Sequence, residues 1–411
     1  MSEVVIIGGG AAGMMAAAAA AEQGHHVCLC EKNEKLGKKL YITGKGRCNL
    51  TNNCDVETLL QAVCTNRKFL YSSFYGFTSQ DVIDFFERTG MKTKTERGNR
   101  VFPVSDHSSD VIGALAAELR KRGVRIFLNQ EVAEILTDAD AVTGVRLADG
   151  KQLAADAVIV ATGGLSYRTT GSTGDGYRFA RELGHSVTEL SPSLVPIETA
   201  DQWAQKLQGL SLRNVEVTIL DGKKELYREF GEMMFTHFGV TGPLILTASC
   251  MIQKKLRAHP LTLSIDLKPA LTVEQLDARI LREFEAAKNK QLKNVLGSLF
   301  PAKLIPVMIE RSNIPGEKAV HDISREERQT LVMMTKHFSL TLLRLRDYNE
   351  AIITRGGVSV KEINPATMES KKVKGLYFAG EVLDLDAVTG GFNLQIAWST
   401  GHAAGSSIEA H

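Results

Sequence analysis

The 411-residue sequence lacks the patterns by which metal-binding, secreted and membrane proteins are usually recognised. Its six cysteines form no C-x-x-C pair and no zinc-ligand spacing, so no metal site is predicted. No apolar run reaches membrane-spanning length. The apolar N-terminus has no basic segment and is interrupted by Gly8, Gly9 and Gly10, so a signal peptide is not predicted either. These absences predict a cytoplasmic protein with reduced thiols, no metal and no membrane partner.

The sequence also lacks an excess of charge of either sign. It has 49 Lys and Arg against 47 Asp and Glu, a formal net charge of +2. This balance disfavours polyanion binding through overall charge, although a local basic face stays possible. The length allows two or three domains, each with a core of its own.

The first 31 residues carry the pattern of a dinucleotide-binding unit. The apolar run VVII, at positions 4–7, is followed by Gly8-x-Gly10-x-x-Gly13 and by the helix-forming stretch MMAAAAAAEQG. A second strand, HHVCLCEK, carries Glu31, 18 residues after Gly13, where an acid can accept hydrogen bonds from a ribose. The glycines let pyrophosphate lie against bare backbone at the helix N-terminus. The alternative, a tight turn without a ligand, would not require the strands, the helix and the acid together.

A glycine-rich and basic stretch, LGKKLYITGKGRCNLTN, follows at positions 36–52. Lys38 and Lys39 are placed to reach a phosphate, and the segment GKGRCN brings backbone amides and the guanidinium of Arg47 towards a ligand. The stretch is not a P-loop, because the glycine spacing differs and no Ser or Thr follows a Gly-Lys pair. The alternative is a glycine-rich turn with a solvated arginine.

No second G-x-G-x-x-G occurs, so a dedicated nicotinamide domain is not predicted. If NADH or NADPH is the electron donor, it must dock transiently at the face that the substrate uses, which implies a ping-pong scheme.

Together with GNRVFPVSDHSSDV, ATGGLSYRTTGSTGDGY, FTHFGVTGP and KGLYFAGEVLDLDAVTGGFNLQIAWSTGHAAG, these segments resemble a known family over nearly the whole chain. It is the BaiN-like, or aminoacetone-oxidase-like, family of bacterial FAD-binding flavoproteins. The resemblance implies FAD rather than NAD in the N-terminal unit. It also implies an α/β fold, in which a Rossmann-like FAD-binding domain of glutathione-reductase type is interrupted by a substrate domain.

Local patterns agree with that organisation. AEILTD, VTGVRLADG and KQLAADAVIVATGG predict a meander with a turn at Asp149-Gly150, and SPSLVPIE marks a domain crossing. A hairpin is predicted around Asp221-Gly222, further strands at LTLSIDLKP and GGVSVKEI, and helices between them, one with a capping box at Ser324 and Glu327. The predicted parts are an FAD-binding domain (1–190), a β-barrel-like substrate domain (191–270), a helical insert (271–339), and return strands with the second FAD-binding part (340–411).

The residues predicted to contact FAD combine the N-terminal pattern with positions implied by the resemblance. In this fold the N-terminus of the last helix points at the flavin pyrimidine ring, where its dipole favours the charge of the reduced state; the alternative for that helix is core packing. Glu381 stands where relatives have an Asp for the ribityl chain. The predicted contacts are Gly8, Gly10, Ala12, Gly13, Glu31, Lys32, Lys38, Arg47, Cys48, Asn49, Val132, Ala161, Thr162, Gly163, Gly380, Glu381, Gly391, Asn393, Leu394 and Gln395. Cys48 is interpreted as a packing residue near the flavin, with a redox role as the alternative.

The resemblance implies three activities, because family members act as bile-acid enone reductases, ribosomal-RNA dihydrouridine synthases or amine oxidases. In the first two, reduced flavin gives hydride to the β-carbon of a C=C conjugated to a carbonyl, and an acid protonates the α-carbon. The candidate proton donors are Tyr167 and His237; the alternatives are a structural histidine and a tyrosine whose backbone merely lies near FAD.

Because the net charge of +2 offers little attraction for RNA, the preferred function is NAD(P)H-linked reduction of a small apolar enone, such as a 3-oxo-4-ene bile-acid intermediate. A small-molecule substrate is therefore favoured over RNA. Dihydrouridine synthesis in ribosomal RNA, amine oxidation and a redox-sensing flavoprotein without turnover are the alternatives. The basic segment KNKQLKN is interpreted as a solvated helix face.

Overall fold

The computed structural model describes residues 1–409 and divides the chain into two compact units. The first contains residues 1–193 and the chain from Tyr348 onward; the second is Leu194–Asp347. This division is coarser than the four predicted parts with boundaries at 190, 270 and 339, which stay a prediction.

Short strands and helices alternate along most of the chain. The strands are β1 Glu3–Ile7, β2 His26–Cys30, β3 Thr51–Asn52, β4 Thr93–Glu96, β5 Arg100–Pro103, β6 Arg125–Phe127, β7 Val132–Asp138, β8 Ala141–Leu147, β9 Gln152–Ala154, β10 Ala157–Val160, β11 Ser191–Ser193, β12 Ile197–Thr199, β13 Ser211–Asp221, β14 Lys224–Phe235, β15 Gly239–Thr241, β16 Leu261–Asp266, β17 Phe338–Leu345, β18 Ile353–Arg355 and β19 Leu376–Phe378. The α-helices are α1 Ala11–Glu22, α2 Lys38–Ile42, α3 Val56–Gln61, α4 Tyr71–Gly76, α5 Ser79–Arg88, α6 Ser108–Lys121, α7 Asp175–Glu182, α8 Pro243–Ala258, α9 Val273–Ala286, α10 Leu292–Val295, α11 Ile305–Ser312, α12 Arg325–Lys336 and α13 Phe392–Ser406.

The first unit is built on a five-stranded parallel sheet with the order β19-β10-β1-β2-β6. The central strand β1 pairs along both edges, and its apolar residues are buried without alternation, as in a parallel sheet that is covered on both faces. The crossovers leave β1 towards β2 and return through β10 on its other side. Ligands of such open sheets bind where the strand order reverses in this way, beyond the carboxyl ends of the strands.

Helices α1 and α13 pack closely because small residues line their contact. A Cβ atom added to Gly401 would lie 2.4 Å from the carbonyl oxygen of Ala12, and one added to Gly405 would lie 2.3 Å from that of Ala16. The buried Trp398 of α13 donates its indole N–H to the carbonyl of Leu50 at 2.9 Å. This packing fixes the N-termini of both helices relative to the sheet.

The predicted meander forms the antiparallel sheet β7-β8-β9 and leads into β10 of the parallel sheet. The prediction of a strand at GGVSVKEI was wrong. Gly356 and Gly357 have φ angles of +83° and +150°, and the segment forms only isolated bridges at Val358 and Ile363 around a 3₁₀ turn. Two left-handed residues at its start prevent a continuous extended strand.

The second unit contains a closed six-stranded barrel with the order β12-β15-β14-β13-β16-β17. The hairpin predicted at Asp221-Gly222 joins β13 to β14. Helices α9 to α12 lie in sequence between β16 and β17, and the predicted Ser324–Glu327 capping box is present at the start of α12. The apolar interior of this unit forms one cluster of buried side chains.

Residues 1–409 contain neither a candidate membrane-spanning helix nor a candidate metal-binding cluster. None of their helices combines the length and the apolar character that crossing a bilayer requires. Nor does this part of the chain bring together three or more His, Cys, Asp or Glu side chains in a geometry that could hold a metal ion.

Candidate active site

A cavity opens in the first unit beyond the carboxyl ends of β1, β2 and β10. Its walls come from the turn after β1, the Glu31–Asn33 segment after β2, part of α2, the loop after β10, Glu381 and the start of α13. The sheet topology alone would place a ligand at this edge.

The glycine turn after β1 leaves no room for side chains except where it faces the cavity. A Cβ atom on Gly8, whose φ is +106°, would lie 2.6 Å from the carbonyl oxygen of Ala161, and one on Gly13 would lie 1.9 Å from that of Gly8. A Cβ on Gly10 would meet nothing within 4 Å. Gly10 is the N-cap of α1 and has no side chain that could cap the helix. The first N–H groups of α1 are therefore free of side-chain caps and lie beside open space, which suits an anion such as pyrophosphate.

Glu31 is fixed at the wall of the cavity by three N–H donors. Its Oε2 accepts the backbone N–H of Gly9 at 2.8 Å, and its Oε1 accepts the backbone N–H and the side-chain amide of Asn33 at 2.8 and 2.6 Å. The residue is buried. Oε2 accepts only one of these hydrogen bonds, so this rigid acid can still accept a hydrogen bond from a ribose hydroxyl.

Three lysines at the cavity are each paired with a carboxylate. Lys32 donates to Asp175 at 2.5 Å, Lys38 lies 3.3 Å from Glu34, and Lys39 donates to Glu381 at 2.6 Å. The carboxylates offset most of the positive charge on this side of the cavity. A phosphate bound here would therefore compete with existing ion pairs.

Glu381 also organises the loop after β10. Its Oε1 accepts the backbone N–H of Thr354 at 2.8 Å. The hydroxyl of Thr354 in turn accepts the backbone N–H groups of Leu165 and Ser166 at 2.7 and 3.2 Å. A carboxylate on the cavity wall, strand β18 and the 163–167 segment thus form one hydrogen-bonded assembly.

The N-terminus of α13 is held at the cavity by its own first turn. Gly391 is the N-cap with φ +100°, and a Cβ atom there would lie 2.5 Å from the backbone of Thr51. Asn393 donates to the carbonyl of Ala387 at 2.8 Å and accepts the N–H of the same residue at 3.0 Å. Asn393 and Leu394 line the cavity, so the positive end of a 15-residue helix borders it.

Tyr167 has a backbone conformation that non-glycine residues rarely adopt, with φ +53° and ψ +59°. It belongs to a loop whose neighbouring residues, Ala161–Gly163 and Thr170–Ser172, line the cavity. Burial, with a smaller contribution from the charge of Glu350, raises the pKa of the Tyr167 hydroxyl above its usual value. Strained backbone of this kind tends to occur where function requires it.

Most of the residues predicted to contact FAD line this cavity or lie directly behind its lining. The lining positions are Gly8, Gly10, Ala12, Glu31, Lys32, Lys38, Val132, Ala161, Thr162, Gly163, Glu381, Asn393 and Leu394. Gly13, Gly380 and Gly391 lie behind them and permit close backbone contacts; a Cβ on Gly380, for example, would lie 2.7 Å from that of Ala12.

The structure does not bring Arg47 to the lining of this cavity. Its guanidinium donates to Glu96 at 2.5 Å and to Asp106 at 2.6 Å, and lies 4.1 Å above the ring of Phe102. These interactions raise the pKa of the guanidinium, with the Glu96 hydrogen bond as the largest cause. The solvated arginine considered above is not found, because Arg47 ties its loop to the β4–β5 hairpin.

Tyr167 and four other predicted residues also lie outside the lining. Cys48 is buried, which raises the pKa of its thiol to about 12 and keeps it protonated at neutral pH. Gln395 is buried and bonded to Thr51 and to the carbonyl of Phe77, so it serves the packing of α13. Asn49 has a buried side-chain oxygen without a hydrogen-bond partner in residues 1–409. His237 is exposed in the second unit, next to the ring of Phe238.

Sequence reasoning missed the roles of Asn33, Thr354 and the Lys39–Glu381 pair. Asn33 follows the ribose acid by two positions and could have been suggested by its amide donors. Thr354 accepts a hydrogen bond from Leu165, 189 positions earlier in the chain. Glu381 pairs with Lys39, 342 positions earlier. No local pattern indicates such pairs.

Comparisons with known proteins agree with this geometry. The family model described as "HI0933-like protein Rossmann domain" matches residues 2–407. A 3-dehydro-bile acid delta(4,6)-reductase of Clostridium scindens is 33% identical over 383 residues, 92% of this chain and 91% of the relative. A ribosomal RNA dihydrouridine synthase of Haemophilus influenzae is 33% identical over 389 residues, 94% of this chain and 93% of the relative.

A solved structure shows the same fold at much lower identity. A 3-ketosteroid delta1-dehydrogenase from Sterolibacterium denitrificans superposes with a TM-score of 0.53 at 14% identity, over 98% of each chain. At this identity the likeness concerns the fold alone. The predicted family and fold class are confirmed by these matches. The chain belongs to the HI0933-like family, which has a Rossmann-type FAD-binding domain.

Proposed function

We propose that the chain is an FAD-dependent reductase that uses NADH or NADPH to reduce a C=C bond conjugated to a carbonyl group. The observation that carries the proposal is the cavity at the sheet edge, which gathers a bare glycine turn, a fixed carboxylate and two helix N-termini. These are the features that a dinucleotide with a redox-active ring needs.

The described residues divide the binding of FAD among themselves in this proposal. Gly8, Gly10 and the start of α1 would hold the pyrophosphate, and Glu31 would accept the ribose hydroxyls. The start of α13 would face the flavin pyrimidine ring, where its dipole favours negative charge. Glu381, held by Lys39 and Thr354, would bind the ribityl chain. When bound, FAD would supply the two-electron chemistry that links NAD(P)H to the C=C bond of the enone.

The chemical step left to the protein's own side chains is the delivery of a proton. When hydride adds to the β-carbon, the π electrons move to the carbonyl oxygen, and a proton must reach the α-carbon to restore the ketone. Tyr167 is the proposed donor, because burial keeps its hydroxyl protonated and its strained backbone fixes its position. The exposed His237 remains the alternative donor.

The proposed acceptor is a small apolar enone, such as a 3-oxo-4-ene bile-acid intermediate. The match to the Clostridium scindens bile acid reductase, over nine tenths of both chains, supports a steroid-like acceptor. The net charge of +2 also favours a small acceptor over RNA.

A specific observation supports a second acceptor, uridine in ribosomal RNA. Dihydrouridine synthases of Haemophilus influenzae and Escherichia coli match at 33% and 31% identity over more than 90% of this chain. Uracil carries a C5=C6 bond next to a carbonyl, so the same hydride and proton transfers apply. Salt distinguishes the two acceptors, because phosphate contacts make RNA binding fall steeply with ionic strength whereas the binding of an apolar steroid changes little.

The proposal is tested by giving the purified, FAD-loaded protein both acceptors under anaerobic conditions with NADH or NADPH. Mass spectrometry then detects a product two hydrogens heavier than the 3-oxo-4-ene steroid, or dihydrouridine in an rRNA transcript. Turnover of the steroid supports the first acceptor and turnover of RNA the second. Rapid oxygen consumption with an aminoketone, and no reduction of either enone, would support an amine oxidase in their place.

A further inference from the structure

Some of the left-handed backbone at residues other than glycine lies in loops that border the candidate site. Twelve such residues occur in the described chain, and six of them are Asn or Asp, which tolerate this conformation. The other six are Lys45, Cys48, Ala139, Tyr167, Leu194 and Met368. Lys45, Cys48 and Tyr167 belong to the two loops that border the cavity.

The loop of residues 43–48 is anchored on both sides of Lys45. Before it, Thr43 lines the cavity. After it, Arg47 is held by Glu96, Asp106 and the ring of Phe102, and Cys48 is fully buried. The backbone between these anchors has little freedom to move away from the cavity edge.

Lys45 is the only non-glycine in a run of three left-handed residues. Gly44, Lys45 and Gly46 have φ angles of +58°, +58° and +85°. A glycine or an asparagine at position 45 would adopt this conformation with less strain. The side chain of Lys45 does not offset this backbone strain by interacting with other residues. Its ammonium is exposed and has no ion pair or hydrogen bond with any of residues 1–409.

The lysines that line the cavity, and Arg47 on the same loop, differ in this respect. Lys32, Lys38 and Lys39 are all paired with carboxylates, and Arg47 has two such partners. Lys45 is thus a strained, uncompensated positive charge, two residues from the cavity lining, on a loop that the fold holds in place. Strain that does not serve packing points to a ligand.

We propose that Lys45 binds an anionic oxygen group, carboxylate or phosphate, of a ligand that enters the cavity at the Thr43 side. The identity of that ligand rests on the proposed function: it is either the carboxylate of a steroid acid acceptor or a phosphate of the NAD(P)H donor. A charge-assisted contact of this kind sets affinity and orientation and takes no part in bond making.

The test compares Lys45→Asn, which relieves strain and removes the charge, with Lys45→Arg, which keeps the charge. Lys151→Asn, in the exposed turn before β9, is the matched control for losing a surface lysine. For each FAD-loaded variant, Tm is measured, and Kd is measured by flavin fluorescence for 3-oxochol-4-en-24-oic acid, for neutral androst-4-ene-3,17-dione and for NADP⁺, which carries the phosphates of NADPH but cannot reduce the flavin.

Lys45→Asn is expected to raise Tm by about 1–2 °C, as relief of strain in a large unit should. The same variant should raise the Kd for one anionic probe about ten-fold and leave the Kd for the neutral steroid unchanged. Affinity lost only for the steroid acid identifies the acceptor carboxylate, and affinity lost only for NADP⁺ identifies the phosphate of the donor nucleotide. Lys45→Arg should retain the affinity.

Unchanged Kd values for both anions in Lys45→Asn would overturn the proposal, whatever happens to Tm. So would an equal loss for the neutral steroid, since that would indicate a general disturbance of the cavity. Because Kd is measured without turnover, these outcomes stay distinguishable from failure of the proposed function, which would appear as an absence of enone reduction in the wild-type protein.

Discussion

The ammonium of Lys39 lies 2.6 Å from the carboxylate of Glu381, two residues that are 342 positions apart and that both line the candidate cavity. The pair joins α2 to the segment after β19. Both side chains are about one fifth exposed, so solvent screens the pair only in part.

Lys39→Met and Glu381→Gln should therefore each lower the affinity for FAD, since Glu381 is the proposed partner of the ribityl chain and Lys39 holds its carboxylate in place. The double variant should lose less than the sum of the two, with a coupling of about 1 kcal/mol. Equilibrium titration of the apoprotein with FAD measures all four corners of the cycle. Strict additivity would show that the two side chains act independently.

Gly13 should tolerate no side chain, because a Cβ atom there would lie 1.9 Å from the carbonyl oxygen of Gly8. Gly13→Ala is expected to push α1 away from β1, and Gly13→Val to abolish the bound yellow cofactor. Gly113→Ala in α6 is the matched control, since a Cβ there meets nothing within 4 Å and alanine favours a helix by about 0.5–1 kcal/mol. The measurements are flavin content by absorbance and Tm. A folded Gly13→Val protein with full flavin content would contradict the assignment of the turn.

Tyr167→Phe should lower kcat by about 100-fold or more while KM changes little, because the hydroxyl acts only on the proton. The pKa of Tyr167 is raised by burial and by Glu350, so the wild-type rate should hold up to strongly alkaline pH and fall only as the hydroxyl ionises. This fall in rate at alkaline pH should be absent from the Tyr167→Phe variant. A variant with wild-type kcat would remove Tyr167 from the reaction and leave His237 as the candidate.

Asp386 gives a prediction about the dependence of stability on pH. It is 1% exposed, and both carboxyl oxygens lack a hydrogen-bond partner in residues 1–409. Burial raises its pKa, and the charge of Asp384 raises it further, against the lowering effect of the charge of Arg355. The folded state therefore holds this proton more tightly than the unfolded state, so the contribution of Asp386 is most favourable below its ordinary value of 3.8 and is lost as pH rises through the raised pKa.

Asp386→Asn should accordingly raise Tm at pH 7, and the gain should shrink as the pH is lowered through the raised pKa of Asp386. Asp140→Asn, in the exposed turn between β7 and β8, is the control and should show no such trend. Thermal scans of both variants over this range make the comparison. A loss of stability in Asp386→Asn that is independent of pH would show that the carboxyl is bonded in a way that asparagine cannot replace.

The parts of the fold that sequence reasoning reached are those encoded locally. The strand, glycine turn, helix and acid of residues 4–31 follow one another in the chain, and so do the Asp221 hairpin and the Ser324 capping box. Each depends on backbone conformation and side chains within a few positions.

The parts that it missed depend on partners far away in sequence. The glycine-rich loop suggested that Arg47 would face a ligand, but Glu96 and Asp106 compete for the guanidinium from a hairpin and a turn some 50 to 60 positions later. Gln395 follows a helix N-terminus that does border the cavity, yet its own side chain lies on the buried face towards Phe77. Only the packing of α13 decides which of its first residues face the cavity.

The most direct test of the central claim is anaerobic stopped-flow reduction of the FAD-loaded protein, followed by mixing with an acceptor. The account predicts that NADH or NADPH bleaches the flavin absorbance near its visible maximum. It further predicts that a 3-oxo-4-ene steroid acid restores the absorbance much faster than dissolved oxygen does. Flavin that neither nucleotide reduces, or reduced flavin that oxygen reoxidises rapidly while the enone and uridine-containing RNA leave it bleached, would contradict the account.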